Sequence, residues 1–201
     1  SDAQGVSRGN CVRGRSGDTQ VTSCSEPAGN LPPNLASHLH ARVTERMKRI
    51  ADFAIDHRPT WDLCCDHGLV GLWAWHTHSL PELHFVDRAP GLVDAIEQRL
   101  SSSLSDDRIA FHSRDASTLS FGEAPSNIFL SGVGFRASQR ILAATCPATT
   151  PHRLVVSVHA EAERLHDAME EKGWRLAGET QVEEHGRIRK ISAWDGQAAL
   201  E

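Results

Sequence analysis

The chain has 201 residues, of which 39% are apolar and 23% charged, with a formal net charge of −5. That supplies a core for one full domain and is too much apolar material for a wholly disordered chain. No run approaches the roughly 18 apolar residues of a membrane span, five cysteines without a CxxC pair make no disulfide scaffold, and the acidic balance excludes a globally basic nucleic-acid binder.

Residues 1–30 are dominated by Ser, Gly, Asn, Gln and Arg, with Val6, Val12 and Val21 as the only larger aliphatics. They read as a flexible tail that cannot offset its ordering entropy, Cys11 and Cys24 included. The same Ser- and Arg-rich, acid-poor composition fits a processed targeting segment, and both readings stay open. The folded domain is expected over 31–201. After Pro32-Pro33, the residues Leu35, Leu39, Val43, Met47, Ile50 and Phe53 recur at steps of three or four, which predicts one amphipathic helix ended by Pro59. Trp61 to Cys65 reads as a buried strand, Leu69 to His78 as a helix, and Leu83 to Asp87 as a second strand. Pro90 opens a helix carrying Leu92, Val93, Ile96 and Leu100. Ile109–His112 and Asn127–Leu130 are the next strands, followed by a helix over about 137–144 and a strand at Leu154–Val158. A helix from Glu161 to Lys172 is closed by Gly173, and two last strands turn at His185-Gly186, a hairpin signal. Strands alternating with helices build βαβ units. The expected fold is therefore α/β, a Rossmann-like, doubly wound, mostly parallel seven-stranded sheet with a C-terminal antiparallel hairpin.

Ligands of such sheets bind at the carboxyl ends of the strands. Those ends carry Asp62-Leu63-Cys64-Cys65-Asp66-His67-Gly68 after the first strand and Asp87-Arg88 after the second. Asp115-Ala116 follows the third and Ser131-Gly132-Val133-Gly134 the fourth. An acid about 25 residues beyond the first turn, Asp87, suits a ribose diol. The glycine-rich G-x-G-x-x-G cradle for a pyrophosphate is missing, and Cys64 and Asp66 stand in its place. The implied ligand has a ribose but no phosphate at the first turn. S-adenosylmethionine fits, because its amino group and sulfonium tolerate acids.

The stretch Asp62 to Leu69 resembles the first motif of the bacterial tRNA (adenine-22-N1)-methyltransferases, Asp-Ile-Gly-Ser-Asp-His-Ala-Tyr. Ser131-Gly132-Val133-Gly134-Phe135 is similar to that family's Ala-Gly-Met-Gly-Gly, and Glu179 to Ile191 to its terminal hairpin. The resemblance runs from Leu35 to Trp194. It departs at Cys64 and Phe135, which replace glycines, and at Gly68-Leu69, which replaces Ala-Tyr. The family's helical C-terminal extension, associated with tRNA, has no counterpart after Trp194. The resemblance implies a class I S-adenosylmethionine-dependent methyltransferase acting on adenine N1 of tRNA or another RNA, a substrate whose base is unstacked into the pocket. Cofactor contacts are expected from Asp62, Cys64, Asp66, His67, Gly68, Asp87, Arg88, Asp115, Ala116, Ser131 and Gly132. Asp66 is the expected catalytic carboxylate, stabilising the cation formed on methylation.

Bland readings accompany these. Asp66-His67 also suits an acid-favoured helix start, and Asp87 and Asp115 suit solvated loop ends. Arg42, Arg46 and Arg49, with Arg136, form a candidate phosphate-contacting strip or a solvated face balanced by Glu45 and Asp52. His38/His40 and His76/His78 are i,i+2 pairs read as surface residues. No metal is expected, since neighbouring strand residues turn the two thiols to opposite faces. The alternatives are a methyltransferase-fold scaffold without activity, or a methyltransferase acting on a small molecule or protein. A cytoplasmic location follows from the cysteine usage.

Overall fold

The computed structural model describes residues 31–197 apart from 105, 146, 147 and 159. The tail expected over 1–30 lies outside the described residues. Seven strands form one sheet: β1 (Thr60–Leu63), β2 (Leu83–Asp87), β3 (Ile109–Ser113), β4 (Asn127–Ser131), β5 (Arg153–Ser157), β6 (Arg175–Glu184) and β7 (Arg187–Asp195). Their order is β3-β2-β1-β4-β5-β7-β6, parallel up to β5 and antiparallel in the closing hairpin. The chain leaves β3 at one edge and returns beside β1 as β4, so the switch point lies between β1 and β4.

Alternation along the strands decides what each face buries. Phe85, Phe129, Val155 and Ala193 point into one core, with Leu39, Ile50, Trp75 and Ile96 from the helices above them. Their neighbours Val86, Ile128, Leu130, Leu154, Val156 and Trp194 point into the other, against Ile141, Leu165 and Met169. The helices are α1 (Pro33–Arg42), α2 (Glu45–Ala51), α3 (Leu69–Thr77), α4 (Pro90–Ser101), α5 (Phe135–Thr145) and α6 (Ala162–Glu171). Buried Asn127 ties the loop before β1 to the sheet: its side chain accepts from the Ile55 amide (3.0 Å) and donates to the Ile55 carbonyl (2.9 Å) and the Thr60 hydroxyl (3.1 Å).

One expectation needs correction. The single amphipathic helix is two helices. Val43 is extended (φ −72°, ψ 122°), and the Thr44 hydroxyl caps α2 by accepting from the Met47 amide (3.4 Å). A β-branched hydroxyl residue inside an apolar stripe offers the backbone that alternative. His40, exposed as expected, sits edge-on to half-buried His76 at 5.4 Å and to Trp73 at 5.0 Å. His40 and His76 belong to different helices, so spacing along either one is silent about their meeting. The hairpin turn is as expected, with His185 (φ 52°) and Gly186 (φ 70°) both left-handed, as a two-residue I′ turn requires.

Candidate active site

The segment joining β1 to α3 makes its turn through three left-handed residues, Cys64 (φ 56°), Asp66 (φ 51°) and Gly68 (φ 69°). Backbone bonds hold it: the Cys65 amide donates to the Val86 carbonyl (3.1 Å) and the Gly68 amide to the Cys65 carbonyl (2.7 Å). Gly68 is needed for space as well as for φ, since a Cβ there would come within 3.0 Å of Phe85 and Ile96. Cys64 adopts the same half of backbone space with a side chain, at a cost of about 1–2 kcal/mol. This explains why the resembling family places glycine at that position.

Above the turn, on the carboxyl edge of the parallel strands, opens a cavity of about 500 Å³. That lies within the roughly 300–1,000 Å³ typical of small-molecule sites. Asp62, Cys64, Asp66, His67, Asp87, Arg88, Asp115, Ala116, Ser131 and Gly132 all line it. Gly68 does not, and acts from below the turn. Of the expected arginine strip only Arg46 reaches the cavity. Arg42 and Arg136 are exposed outside it, and Arg49 pairs with Glu45 (2.9 Å) and Asp52 (3.4 Å). Phe135 is buried at the start of α5 with Arg164 stacked on its ring (4.5 Å), so it does not narrow the cavity.

The acids differ in state. Asp62 is 1% exposed, and its Oδ2 accepts from the Gly71 amide (2.9 Å). Burial pushes its carboxyl up to about 7, the Gly71 bond opposes this, and the Asp87 charge adds to it. Asp87 projects from the tip of β2. Its Oδ1 accepts from the Ala89 amide (2.9 Å) and its Oδ2 from the Asp66 amide (3.3 Å), so one carboxylate braces both loops. Asp115 accepts from the Ser117 amide (2.9 Å) and hydroxyl (2.7 Å) and from Arg140 (3.1 Å), bonds that hold it down to about 2. Asp66 stands at the rim, its side chain 67% exposed and 3.6 Å from His67. Burial, then the surrounding aspartates, raise the Cys64 thiol to about 11, so it is a neutral wall of the site.

Sequence reading missed the apolar lining that the helices supply, Leu92, Ala137 and Ile141 among it, and the Arg140 partner of Asp115. Leu92 was legible only as a helix-stripe residue. Arg140 is 25 positions from Asp115, with no local pattern to connect them. Among the described residues no group of three His, Cys, Asp or Glu side chains is placed to hold a metal ion, and no helix is long and apolar enough to cross a membrane.

Comparison with known proteins agrees with this geometry. Streptococcus pneumoniae Sp1610 superposes with a TM-score of 0.69 at 17% identity, over 79% of this chain and 72% of that one; it has also been solved in complex with S-adenosyl-L-methionine. The B. subtilis M1A22 tRNA methyltransferase TrmK gives 0.68 at 17% identity, over 78% and 68%. M. capricolum TrmK in complex with S-adenosyl-homocysteine gives 0.64 at 12%, over 79% and 72%. Identities this low establish a shared fold. Among the curated proteins none matches. A family model described as a methyltransferase domain matches residues 43–191, from the edge of α2 to within β7 and across every loop that lines the cavity. On that match the chain belongs to the methyltransferase-domain family and is a methyltransferase.

Proposed function

We propose that this enzyme transfers a methyl group from S-adenosylmethionine to N1 of an adenine in RNA, with tRNA as the favoured substrate. The observation that carries the reading is the cavity itself: aspartates at the tips of adjacent strands converge on it, and the turn after β1 has no glycine-rich cradle for a diphosphate. The donor set suits a sulfonium nucleoside. Asp87 offers its carboxylate to a ribose diol, and Asp115 with Ala116 offers an acidic edge and an apolar surface to an adenine. Asp62 and Asp66 face the cationic part of the molecule. When bound, S-adenosylmethionine supplies a methyl group already activated by its positive sulfur.

The protein's own task is then alignment and electrostatics. The target base enters over the rim between Asp66 and Ser131-Gly132. Methylation at N1 leaves the base positively charged, and Asp66, exposed at the rim, is the carboxylate assigned to face that charge. No residue has to remove a proton for the bond to form. Support for an RNA substrate comes from the relatives that share the fold, among them the B. subtilis M1A22 tRNA methyltransferase. The exposed arginines that follow successive strands (Arg88 after β2, Arg114 after β3, Arg136 after β4) are placed to meet phosphates despite the net negative charge. The low, odd cysteine count without a CxxC pair fits a reducing compartment such as the cytoplasm.

The test is incubation of the protein with methyl-labelled S-adenosylmethionine and total RNA, followed by mapping of the modified nucleoside. Label in 1-methyladenosine is expected, and its loss in Asp87→Asn together with loss of cofactor binding. Label confined to protein or small-molecule fractions would overturn the RNA reading. No labelling and no cofactor binding would favour the scaffold.

A further inference from the structure

Three half-buried rings stand side by side on the sheet face that carries Val86 and Leu130, and none of them lines the cavity. Trp61 of β1 stacks on His84 of β2 with ring centroids 3.9 Å apart and planes 8° from parallel. His84 in turn meets His112 of the edge strand β3, its Nδ1 lying 3.2 Å from Nε2 of His112. On the far side of the same ring, Nε2 of His84 is 3.3 Å from Oε2 of Glu82, the residue just before β2.

These contacts settle where the protons are. A carboxylate only accepts, so Nε2 of His84 carries the hydrogen and Nδ1 of that ring bears a lone pair. Nε2–H of His112 donates to it. Burial lowers the proton affinity of both rings. Glu82 opposes this at His84, while His84 and Arg114 add to it at His112, so both are neutral imidazoles at neutral pH.

Neutral imidazole is the form that binds a metal ion. Bonds of about 2.0–2.1 Å to one tetrahedral ion hold two nitrogens roughly 3.3–3.4 Å apart. The 3.2 Å between Nδ1 and Nε2 is close to that spacing. Glu82 occupies the place where the second N–H of a ligating histidine finds its carboxylate, and the stacked Trp61 holds the plane of His84.

We propose that Nδ1 of His84 and Nε2 of His112 bind one divalent first-row ion of the kind imidazole prefers, zinc or copper(II) foremost, with solvent in the remaining positions and Glu82 orienting His84. The ion takes the place of the proton between the rings, which tilt about their Cβ–Cγ bonds to meet it, and that proton moves to Nδ1 of His112. Two protein ligands make an exchangeable site. Its place in the fold gives it a consequence. His84 lies three residues before Asp87 and His112 three before Asp115, on paired parallel strands, so the ion clasps the edge strand to β2 beneath two acids of the cavity.

The test is titration of the full chain with copper(II) while tryptophan emission is followed. Of the five tryptophans, Trp61 is the one stacked on a proposed ligand, so a saturable, partial loss of emission is expected. EDTA should reverse it, and so should zinc, whose filled d shell does not quench. Trp61→Phe should abolish the quench while calorimetry still shows zinc bound. Zinc affinity is expected to fall at least about tenfold in His84→Asn, His112→Asn and Glu82→Gln. Zinc should also raise the unfolding temperature of the parent but not of His112→Asn, and the metal-free unfolding curve of each variant certifies that it folds. No saturable binding by the parent, a quench that survives Trp61→Phe, or binding that survives both histidine replacements would overturn the proposal. Binding lost instead in His76→Asn would place the ion at the His40–His76 pair and overturn it equally.

Discussion

Oδ2 of Asp62 accepts a 2.9 Å hydrogen bond from the backbone amide of Gly71, so the tip of β1 and the first turn of α3 are joined across the floor of the cavity. The contact is possible because Gly71 has no side chain. A Cβ there would lie 2.8 Å from Cε1 of Phe85 and 3.0 Å from the same Oδ2. Phe85 is fully buried and has nowhere to move. Gly71→Ala is therefore expected to destabilise the protein by about 2 kcal/mol or more and to weaken S-adenosylhomocysteine binding. Urea denaturation and calorimetry measure the two effects, and a variant with parental values for both would show that the floor is pliable.

The raised carboxyl of Asp62 makes a pH-dependent prediction. With its folded value at about 7 and its ordinary value near 3.8, the neutral form is favoured by folding. This contribution is complete below pH 3.8 and is lost as the pH rises toward 7. A cationic ligand favours the ionised form, so binding must drive off a proton wherever Asp62 is still protonated. Affinity for S-adenosylmethionine is expected to rise roughly tenfold between pH 6 and pH 8. Asp62→Asn keeps an acceptor for Gly71 and removes that slope. The ligand's own amino group titrates equally with both proteins, so the difference between the two slopes is the readout. Parallel slopes would exclude Asp62 from the cationic end.

The left-handed backbone at Cys64 predicts an asymmetric response to substitution. A β-branched residue is strained there more than cysteine is, so Cys64→Val is expected to cost about 2 kcal/mol. Cys64→Gly removes the strain but adds unfolded-state entropy, and the two nearly offset, leaving stability within about 1 kcal/mol. Thermal unfolding of the pair is the measurement, and equal destabilisation by both would contradict the backbone account.

His152 is 1% exposed and neither ring nitrogen has a hydrogen-bond partner among the described residues. Burial, and then Arg58, lower its affinity for a proton. His76, His84, His112 and His166 are lowered too, in each case chiefly by burial. For a base lowered on folding, the stability present above the unfolded value, near 6.5, is lost as the pH falls below it toward the folded value. Below pH 6.5 the histidines lower stability while Asp62 adds to it, so the readout is the difference between the two proteins: His152→Phe should remove up to about 1.4 kcal/mol per pH unit of the downward slope. An unchanged slope would mean that His152 takes up a proton without unfolding.

The parallel part of the sheet was legible in the sequence because β1 to β5 are short, largely apolar runs with breakers at their ends, and Leu83–Asp87 matches β2 residue for residue. The acids at the strand tips were legible for the same reason: once Asp62 and Asp87 end strands of one parallel sheet, they share an edge. Three features were not. The break at Val43-Thr44 is invisible to an apolar stripe that continues through it. The left-handed turn at Cys64 and Asp66 is set by bonds to β2, because nothing in two side-chain-bearing residues announces a positive φ. Arg46 looked like its helical neighbours Arg42 and Arg49, and only Glu184, 138 positions away, singles it out.

That separation bears on how the enzyme comes into being on the ribosome. By the time β4 has emerged, a nascent chain carries every strand tip that lines the cavity. The acid that fixes the direction of Arg46 is synthesised only with the final strand pair, so this side of the cavity is completed last.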